Sequence, residues 1–211
     1  MRRSREETTE LLLDAAERLL IREGIVALTT RRLAEEAGVN HGLVHYSFVS
    51  MADVALRTAQ RATARLIERQ RQMYEGPGTF LDKWHLAMGF LDEDIRTGYP
   101  KLMFELSALG WNDPVLAAAI ADMDAQWRGV LTDAVTAGLE EYQLDAREFP
   151  VEALVTLIAT FNLGIEAERL IGVDTGHDAL LAWIGAWLSG LQRRASDKNT
   201  RGIRGRSRTR T

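Results

Sequence analysis

The sequence predicts an all-α protein of nine helices. Apolar residues recur at spacings of three and four through most of the chain, which is the periodicity of a helix with one buried face. Glycine, proline and capping residues interrupt this pattern at intervals that suit helix ends, and the few strand-like apolar runs lie inside helical patterns. We therefore predict three segments, namely a helix-turn-helix domain over 1–56, a larger helical domain over 57–195 and a disordered basic tail over 196–211.

The first three helices are predicted from their ends. Apolar residues on one side of 5–23 indicate the first helix, and Gly24 stops it. Thr29 is a good N-cap for the second helix, which Gly38 ends because glycine accepts positive φ at low cost. Asn40 caps a short third helix, whose apolar residues Val44 and Phe48 share a face.

The remaining six helices follow similar signals. Ser50 caps the fourth, Gly-Pro-Gly at 76–78 precedes the fifth, and the Asn-Asp-Pro sequence at 112–114 starts the seventh. We place these helices at about 51–74, 79–96, 101–109, 113–142, 150–171 and 177–194.

Composition and charge limit the classes of protein to which the chain can belong. The chain has no cysteine, which excludes disulfides and thiolate metal sites. The uncharged apolar stretches 153–165 and 179–192 are shorter than the ~18 residues of a membrane span, and the N-terminus lacks the apolar core of a signal peptide. We expect a cytoplasmic protein.

The net charge of -4 conceals an uneven distribution. Residues 73–192 carry 6 Lys/Arg and 19 Asp/Glu, a net charge of -13, whereas residues 1–72 are at +2 and residues 193–211 at +7. Because an acidic surface repels nucleic acid, any DNA contact must come from the ends of the chain.

The segment 29–50 has the features of a helix-turn-helix. Val44 and Phe48 form the back of the third helix, and the residues around them are predicted to point outward: His41, Gly42, Leu43, His45, Tyr46 and Ser47. A short helix with an apolar back and a polar front, braced by a preceding helix through a glycine turn, is the arrangement that reads the major groove.

The N-terminal residues resemble the TetR family of bacterial transcriptional regulators. The resemblance is specific over about 10–56 and rests on Leu-Asp-Ala-Ala-Glu-Arg-Leu-Leu at 13–20, Gly24, Thr29, Leu33-Ala34, Ala37-Gly38-Val39, Gly42 and Tyr46-x-Phe48-x-Ser50. It implies a nine-helix fold in which the N-terminal domain binds DNA and the C-terminal domain binds a ligand and forms a dimer.

The resemblance also implies roles for single residues. Thr29 and Arg31 would meet phosphates, Tyr46 would hydrogen-bond a phosphate, and Gly42 would let the third helix approach the DNA. Side chains of the third helix and its cap would contact the base edges. The full predicted DNA-binding set is Thr29, Thr30, Arg31, Arg32, Asn40, His41, Gly42, Leu43, His45, Tyr46 and Ser50.

Three positions depart from the family pattern. Met51 stands where a phosphate-binding lysine is frequent, and Val49 replaces a frequent proline. Arg32 stands where an acidic residue often completes the helix cap, so the reciprocal capping box is broken and Arg32 becomes a further candidate phosphate contact.

Other chemistry finds little support. His41 and His45 have a spacing that can share a metal, but no third ligand lies near them in sequence. The chain lacks a cysteine nucleophile, a glycine-rich phosphate loop and a Gly-x-Ser-x-Gly motif. We predict no catalytic residue, no metal, no cofactor and no enzymatic activity.

Aromatic and methionine residues in helices five to seven allow two interpretations. They form either ordinary core or a pocket for an apolar or aromatic effector of unknown identity. The polar residues Asn162 and Glu166 of helix eight are either its polar contacts or interface residues. The predicted effector-binding set is Trp84, Met88, Met103, Phe104, Trp111, Trp127 and Asn162.

Helices eight and nine have more apolar residues than one side of a small domain needs. Pairing with a second copy in a four-helix bundle would bury them. The predicted interface set is Leu157, Phe161, Ile165, Trp183 and Trp187. The sequence thus predicts a homodimeric, ligand-responsive repressor of a palindromic operator, and the alternative is an activator or a regulator that answers to a protein partner.

Overall fold

The computed structural model describes residues 4–207, with side chains described for residues 4–198. This part of the chain contains nine α-helices, one short 3-10 turn and no strand, which confirms the predicted all-α fold. The elements are α1 (Arg5–Glu23), a 3-10 turn (Ile25–Ala27), α2 (Thr30–Ala37), α3 (Gly42–Ser47), α4 (Met51–Glu75), α5 (Phe80–Thr97), α6 (Tyr99–Gly110), α7 (Pro114–Tyr142), α8 (Val151–Leu170) and α9 (His177–Ser207).

Side-chain caps fix several helix starts. Ser4 and Glu7 form a reciprocal capping box at α1, in which the Ser4 hydroxyl accepts the Glu7 N–H at 3.0 Å and the Glu7 carboxylate accepts the Ser4 N–H at 2.7 Å. Ser50 caps α4 as predicted, since its hydroxyl accepts the Asp53 N–H at 3.1 Å. At α7 the cap is Asp113, whose carboxylate accepts the N–H of Leu116 at 3.1 Å.

The largest difference from the predicted helices concerns the C-terminal segment. We predicted a disordered tail from residue 196, but α9 continues to Ser207, and residues 208–211 lie outside the described residues. Adding a residue to an existing helix gains one hydrogen bond and avoids the cost of nucleation, so a helix can extend into a segment that would not form one alone.

The chain forms two compact units. The first contains the residues up to Glu68 together with Glu93–Gln126, and the second contains Arg69–Asp92 and the residues from Trp127 onward. The boundaries therefore fall inside α4, α5 and α7. The predicted division at residues 56 and 57 is a different partition and stays a prediction.

The first unit has one apolar core. Leu12 and Leu19 of α1, Leu33 of α2, Val44 of α3 and Leu106 of α6 are fully buried in it. Full burial of one such side chain is worth about 1.5–3 kcal/mol relative to exposure. This core therefore fixes the short helices α2 and α3 on α1, although neither is long enough to be stable alone.

A carboxylate of α6 holds the turn after α1. The Glu105 carboxylate accepts the N–H of Ile25 at 2.5 Å. Gly24 precedes this bond with φ of 82°, and a Cβ there would come within 2.8 Å of a Glu105 oxygen. The backbone conformation therefore favours glycine, and any larger residue would also displace the flexible end of the Glu105 side chain.

The second unit is built around α7, α8 and α9. Leu131, Val135 and Leu139 of α7 pack with Val155 of α8. A separate cluster contains Tyr142, Leu188 and Leu191, with Phe80 packed against it. The Phe80 and Tyr142 rings meet edge to face at 5.8 Å between centroids, and burial raises the pKa of Tyr142 to about 12. None of the helices in the described chain is both long and apolar enough to cross a membrane.

Candidate nucleic-acid interface

The turn between α2 and α3 follows from two local signals. The Thr29 hydroxyl accepts the N–H of Arg32 at 3.3 Å, which confirms the predicted N-cap of α2. Gly38 adopts a left-handed conformation with φ of 63° and ψ of 37°, which confirms that it ends α2. The N–H of Val39 then donates to the Ala34 carbonyl at 3.0 Å, so the chain reverses within one residue of the helix end.

Asn40 prepares the start of α3. Its side-chain oxygen accepts the N–H of Gly42 at 2.9 Å, but the N-cap position of α3 is His41, so Asn40 was predicted one residue too early. The helix itself begins two residues later, at Gly42, because Asn40 and His41 form a turn in which their carbonyls accept the N–H groups of Leu43 and Val44.

The two faces of α3 differ sharply. Val44 is fully buried and Phe48, which follows the helix, is 5% exposed, so the predicted apolar back is confirmed. On the front, Leu43 is 40% exposed and Tyr46 is 64% exposed, and His41, Gly42 and His45 are also exposed. A buried back with an exposed polar and aromatic front is the arrangement that a recognition helix needs.

One prediction for this face is wrong. Ser47 was expected to point outward but is 8% exposed. It lies three residues after Val44, and residues at this spacing share a helix face, so Ser47 is drawn into the buried back.

Gly42 faces open space on the front of α3. A Cβ added there would meet only the Asn40 side-chain oxygen, at 3.4 Å, among the described atoms. Its φ does not lie in the left-handed region, so the protein's own conformation does not demand glycine here. The absence of a side chain instead leaves room for an approaching molecule.

The arginines of α2 are engaged in ion pairs. Arg31 lies 3.3 Å from the carboxylate of Glu35, one turn further along α2, while its side chain remains 84% exposed. One nitrogen of Arg32 lies 2.7 Å from each carboxylate oxygen of Glu23, at the end of α1. Arg32, predicted to contact phosphate, therefore braces α1 against α2 in the free protein.

Glu36 extends this network between α1 and α2. Its carboxylate accepts hydrogen bonds from Arg18 and Arg22, both at 2.9 Å. These guanidinium donors hold the pKa of Glu36 below its ordinary value, and the pKa of Glu23 is likewise lowered, by Arg22 and Arg32. These exposed pairs stabilise the helix pair only modestly, but they fix which charges face outward.

Three arginines of α4 are also paired with carboxylates. Arg61 contacts Glu10, Asp14 and Glu17 of α1 at 2.8–3.0 Å, and its side chain is 21% exposed. Arg65 also pairs with Glu17, and Arg57 lies 3.3 Å from Asp53. The contacts of Arg61 and Arg65 join α1 to α4, and all three guanidinium groups are paired with carboxylates.

Two of the three departures from the family pattern lie at the start of α4. Ser50, predicted to contact DNA, uses its hydroxyl for the cap described above. Val49 is 95% exposed, and Met51 packs against the core of the first unit. A methionine directed into the core cannot supply the phosphate contact that a lysine would make.

A metal site on α3 gains no support from the geometry. The rings of His41 and His45 lie 6.4 Å apart, edge to face. Over residues 4–198, no group of three histidine, aspartate or glutamate side chains is placed to hold a metal ion.

The predicted effector residues are divided between the two units. Trp84, Met88, Trp127 and Asn162 belong to the second unit, and Met103, Phe104 and Trp111 belong to the first. In the first unit, Met103 packs against the core and Trp111 is 83% exposed. The structure therefore does not gather the seven residues within one unit.

Within the second unit, part of the predicted effector set comes together. Trp84 of α5 lies tilted against Phe161 of α8, with 6.3 Å between the ring centroids. Asn162 follows Phe161, and its side-chain oxygen is buried without a hydrogen-bond partner among the described atoms. Trp127 instead donates its indole N–H to Gln70 at 2.9 Å.

The predicted dimer residues of α8 and α9 are placed differently from one another. Leu157 is 64% exposed, Trp183 65% and Trp187 40%, so these three are available to a partner. Ile165 is only 3% exposed in the isolated chain, and Phe161 packs on Trp84. Leu163, which is not in the predicted set, is 55% exposed on α8, and the interface itself stays a prediction.

An exposed recognition helix held in a helix-turn-helix near the start of an all-α chain is an arrangement typical of DNA-binding proteins. Residues 12–58 match the family model for bacterial regulatory proteins of the tetR family. No curated protein sequence matches the chain significantly.

Solved structures share the fold at low sequence identity. The transcriptional regulator FadR from Bacillus subtilis, in complex with stearoyl-CoA, is 16% identical with a TM-score of 0.67, over 88% of this chain and 98% of that one. A TetR-family regulator from Agrobacterium tumefaciens is 15% identical with a TM-score of 0.66, over 90% and 98%. A protein from Saccharomonospora viridis in complex with choline is 15% identical with a TM-score of 0.62, over 91% and 95%.

The matched segment contains the whole helix-turn-helix, from within α1 to within α4. The match confirms the sequence resemblance to the TetR family over this segment.

Proposed function

We propose that the protein is a homodimeric, ligand-responsive repressor that binds a palindromic operator through α3. The observation that carries this proposal is the two-sided character of α3. Its back is anchored by fully buried Val44, whereas His41, Leu43, His45 and Tyr46 form an exposed front beside the open position at Gly42. A six-residue surface helix has no structural need for two histidines and a tyrosine on its outer side.

Base reading is assigned to the middle of this front. His45 can donate to the acceptors that guanine presents in the major groove, and Leu43 can contact the methyl group of thymine. Thr29, Thr30, Arg31 and Tyr46 would meet phosphates, which position the protein but carry no sequence information.

Dimer formation is supported by the exposed apolar side chains of α8 and α9. Leu157, Leu163, Trp183 and Trp187 are 40–65% exposed in the isolated chain. Two copies of this helix pair would bury them in a four-helix bundle with two-fold symmetry. A symmetric dimer would place two recognition helices on half-sites about 34 Å apart, so the operator would be palindromic.

The effector site is proposed within the second unit. Trp84 and Phe161 offer aromatic surface, Met88 is half-buried nearby on α5, and the unpartnered Asn162 oxygen offers one hydrogen-bond acceptor. We therefore favour an apolar or aromatic effector with one donor group. The stearoyl-CoA and choline complexes of structures with this fold show that it accommodates chemically different ligands.

An effector that prefers a dimer with a different separation of the recognition helices would weaken DNA binding. By linkage, the operator would weaken effector binding by the same factor. A repressor of this kind acts in the cytoplasm, where its operator lies.

In vitro selection of DNA bound by the purified protein tests the proposal. We expect a palindromic sequence with half-sites about one helical turn apart. His45→Ala should change the selected bases, whereas Tyr46→Phe should weaken all sequences about equally, because phosphate contacts are independent of sequence. Selection that yields no palindrome would contradict the proposed function.

A further inference from the structure

Arg5 lies against the recognition helix. It is the first residue of α1, its side chain is exposed, and its guanidinium carbon lies 4.9 Å from the centre of the Tyr46 ring. This distance is within the range of a cation–π contact, which attracts a guanidinium to an aromatic face without neutralising its charge. The two side chains therefore meet at the C-terminal end of α3, on its exposed front.

Arg5 differs from every other arginine described between residues 4 and 68. The other seven are Arg18, Arg22, Arg31, Arg32, Arg57, Arg61 and Arg65, and each has a carboxylate oxygen within 4.0 Å. Within the described residues, Arg5 has the Tyr46 ring as its neighbour and no carboxylate.

This difference determines which arginine gains most from a phosphate. A guanidinium already paired with a carboxylate must share or release that carboxylate to bind a phosphate. The loss of the ion pair then offsets part of the favourable free energy of the phosphate contact. Arg5 has no carboxylate partner among the described residues, so it breaks no ion pair when it binds a phosphate. It also lies in the first turn of α1, where the positive end of the helix dipole disfavours a cation, so an added anion relieves an unfavourable arrangement.

We propose that Arg5 and Tyr46 together bind one operator phosphate in each half-site. The Tyr46 ring holds the guanidinium beside α3, and its hydroxyl, at the rim of the same ring, donates to the same phosphate group. Arg5 then supplies the ionic contact that Met51 cannot make. This inference rests on the proposed function, since it requires α3 to lie in the major groove.

The salt dependence of operator binding provides the test. Each phosphate contact contributes about 0.9 to the slope of log affinity against log salt concentration, because one contact releases bound counterions. Arg5→Gln should lower this slope by about 0.9 for each protomer bound, and should weaken all sequences alike. Arg18→Gln, which removes the same charge from a carboxylate-paired arginine on α1, is the matched control and should leave the slope unchanged.

A double-mutant cycle tests the partnership. In a Tyr46→Leu background, which removes both the ring and the hydroxyl, Arg5→Gln should cause a smaller loss of affinity than in the wild-type background. An unchanged slope for Arg5→Gln, or an equal decrease for Arg18→Gln, would overturn the inference. Equal effects of Arg5→Gln in both backgrounds would overturn the shared phosphate.

The two proposals can fail separately. If the wild-type protein selects no DNA, the proposed function fails and the inference fails with it. If the wild-type protein binds a palindrome and the Arg5→Gln variant has the same salt dependence of operator binding as the wild type, only the role of Arg5 is wrong. Thermal unfolding of each variant shows whether the DNA-binding unit is intact before binding is measured.

Discussion

At the scale of single residues, two glycines of the helix-turn-helix have opposite reasons to be glycine. Gly38 has φ of 63°, a backbone conformation that favours glycine. Gly42 does not have a positive φ, and the space around it is open. Gly42→Ala should therefore keep or slightly raise the melting temperature, because alanine favours helix more than glycine. It should weaken DNA binding, because the new methyl group lies on the face that approaches the base pairs.

Gly38→Ala is the matched control. It should destabilise the protein by about 1–2 kcal/mol, since a left-handed conformation is unfavourable for a residue with a Cβ. Well below its melting temperature it should bind the operator with nearly wild-type affinity. Thermal unfolding and a DNA-binding titration of both variants separate the two roles. Equal destabilisation by both substitutions would show that Gly42 is structural.

Residue roles that depend on neighbours in sequence were predictable, and those that depend on distant partners were not. The hydrogen bonds that the Thr29 and Asn40 side chains accept span three and two residues, so the local sequence reveals them. The pairing of Arg32 with Glu23 joins two helices, and nothing in the spacing of charges selects Glu23 over the adjacent Glu35 or Glu36. Arg32 was therefore assigned to DNA, although in the free protein it is held by a carboxylate.

At the scale of helices, the ion pairs between α1 and α2 should make stability depend on pH. The pKa of Glu36 is lowered by Arg18 and Arg22 from an ordinary value of 4.5. A carboxyl group whose pKa is lower in the folded state stabilises the fold above its unfolded pKa, and this contribution disappears as pH falls through the folded value. The effect should therefore be complete at neutral pH and lost below pH 4.5.

Glu36→Gln tests this dependence. The variant should melt at a lower temperature than the wild type at neutral pH, and the difference should shrink as the solution is acidified below pH 4.5. Glu35→Gln is a suitable control, since Glu35 is 52% exposed and pairs only within α2. A difference in melting temperature that stays constant with pH would show that Glu36 acts through packing and not through its charge.

Helix positions were more predictable than helix faces. Capping residues, glycine and proline mark helix ends, so most predicted bounds lie within two residues of the observed ones. Faces are harder because successive residues of a helix point about 100° apart, so a small error in rotation exchanges buried and exposed residues. On α8 the predicted interface set includes Ile165, which is 3% exposed, and leaves out Leu163, which is 55% exposed.

At the scale of the whole chain, the units are set by contacts between residues far apart in sequence. Leu102 and Leu106 of α6 are buried in the same core as Leu12 of α1, about ninety residues earlier. Periodicity shows that α6 has an apolar face but not which helix covers it. The sequence therefore predicted the helix-turn-helix but not that α6 shares its core.

The last prediction concerns the dimer, through Trp183 of α9. Trp183→Glu should abolish dimer formation, because each of the two identical interface halves would bury a carboxylate without a partner. An unpaired buried charge costs about 3 kcal/mol or more, which corresponds to at least a hundredfold higher dissociation constant. Operator affinity should then fall steeply, since one protomer retains only one half-site.

Trp111→Glu separates this effect from the general loss of an exposed tryptophan. Trp111 is 83% exposed on the first unit, against 65% for Trp183 on the second, so the two substitutions remove the same side chain from comparably open positions. Trp111→Glu should leave both the dimer and operator binding intact. Analytical ultracentrifugation gives the mass of each variant, and a dimeric Trp183→Glu protein would place the interface away from this face of α9.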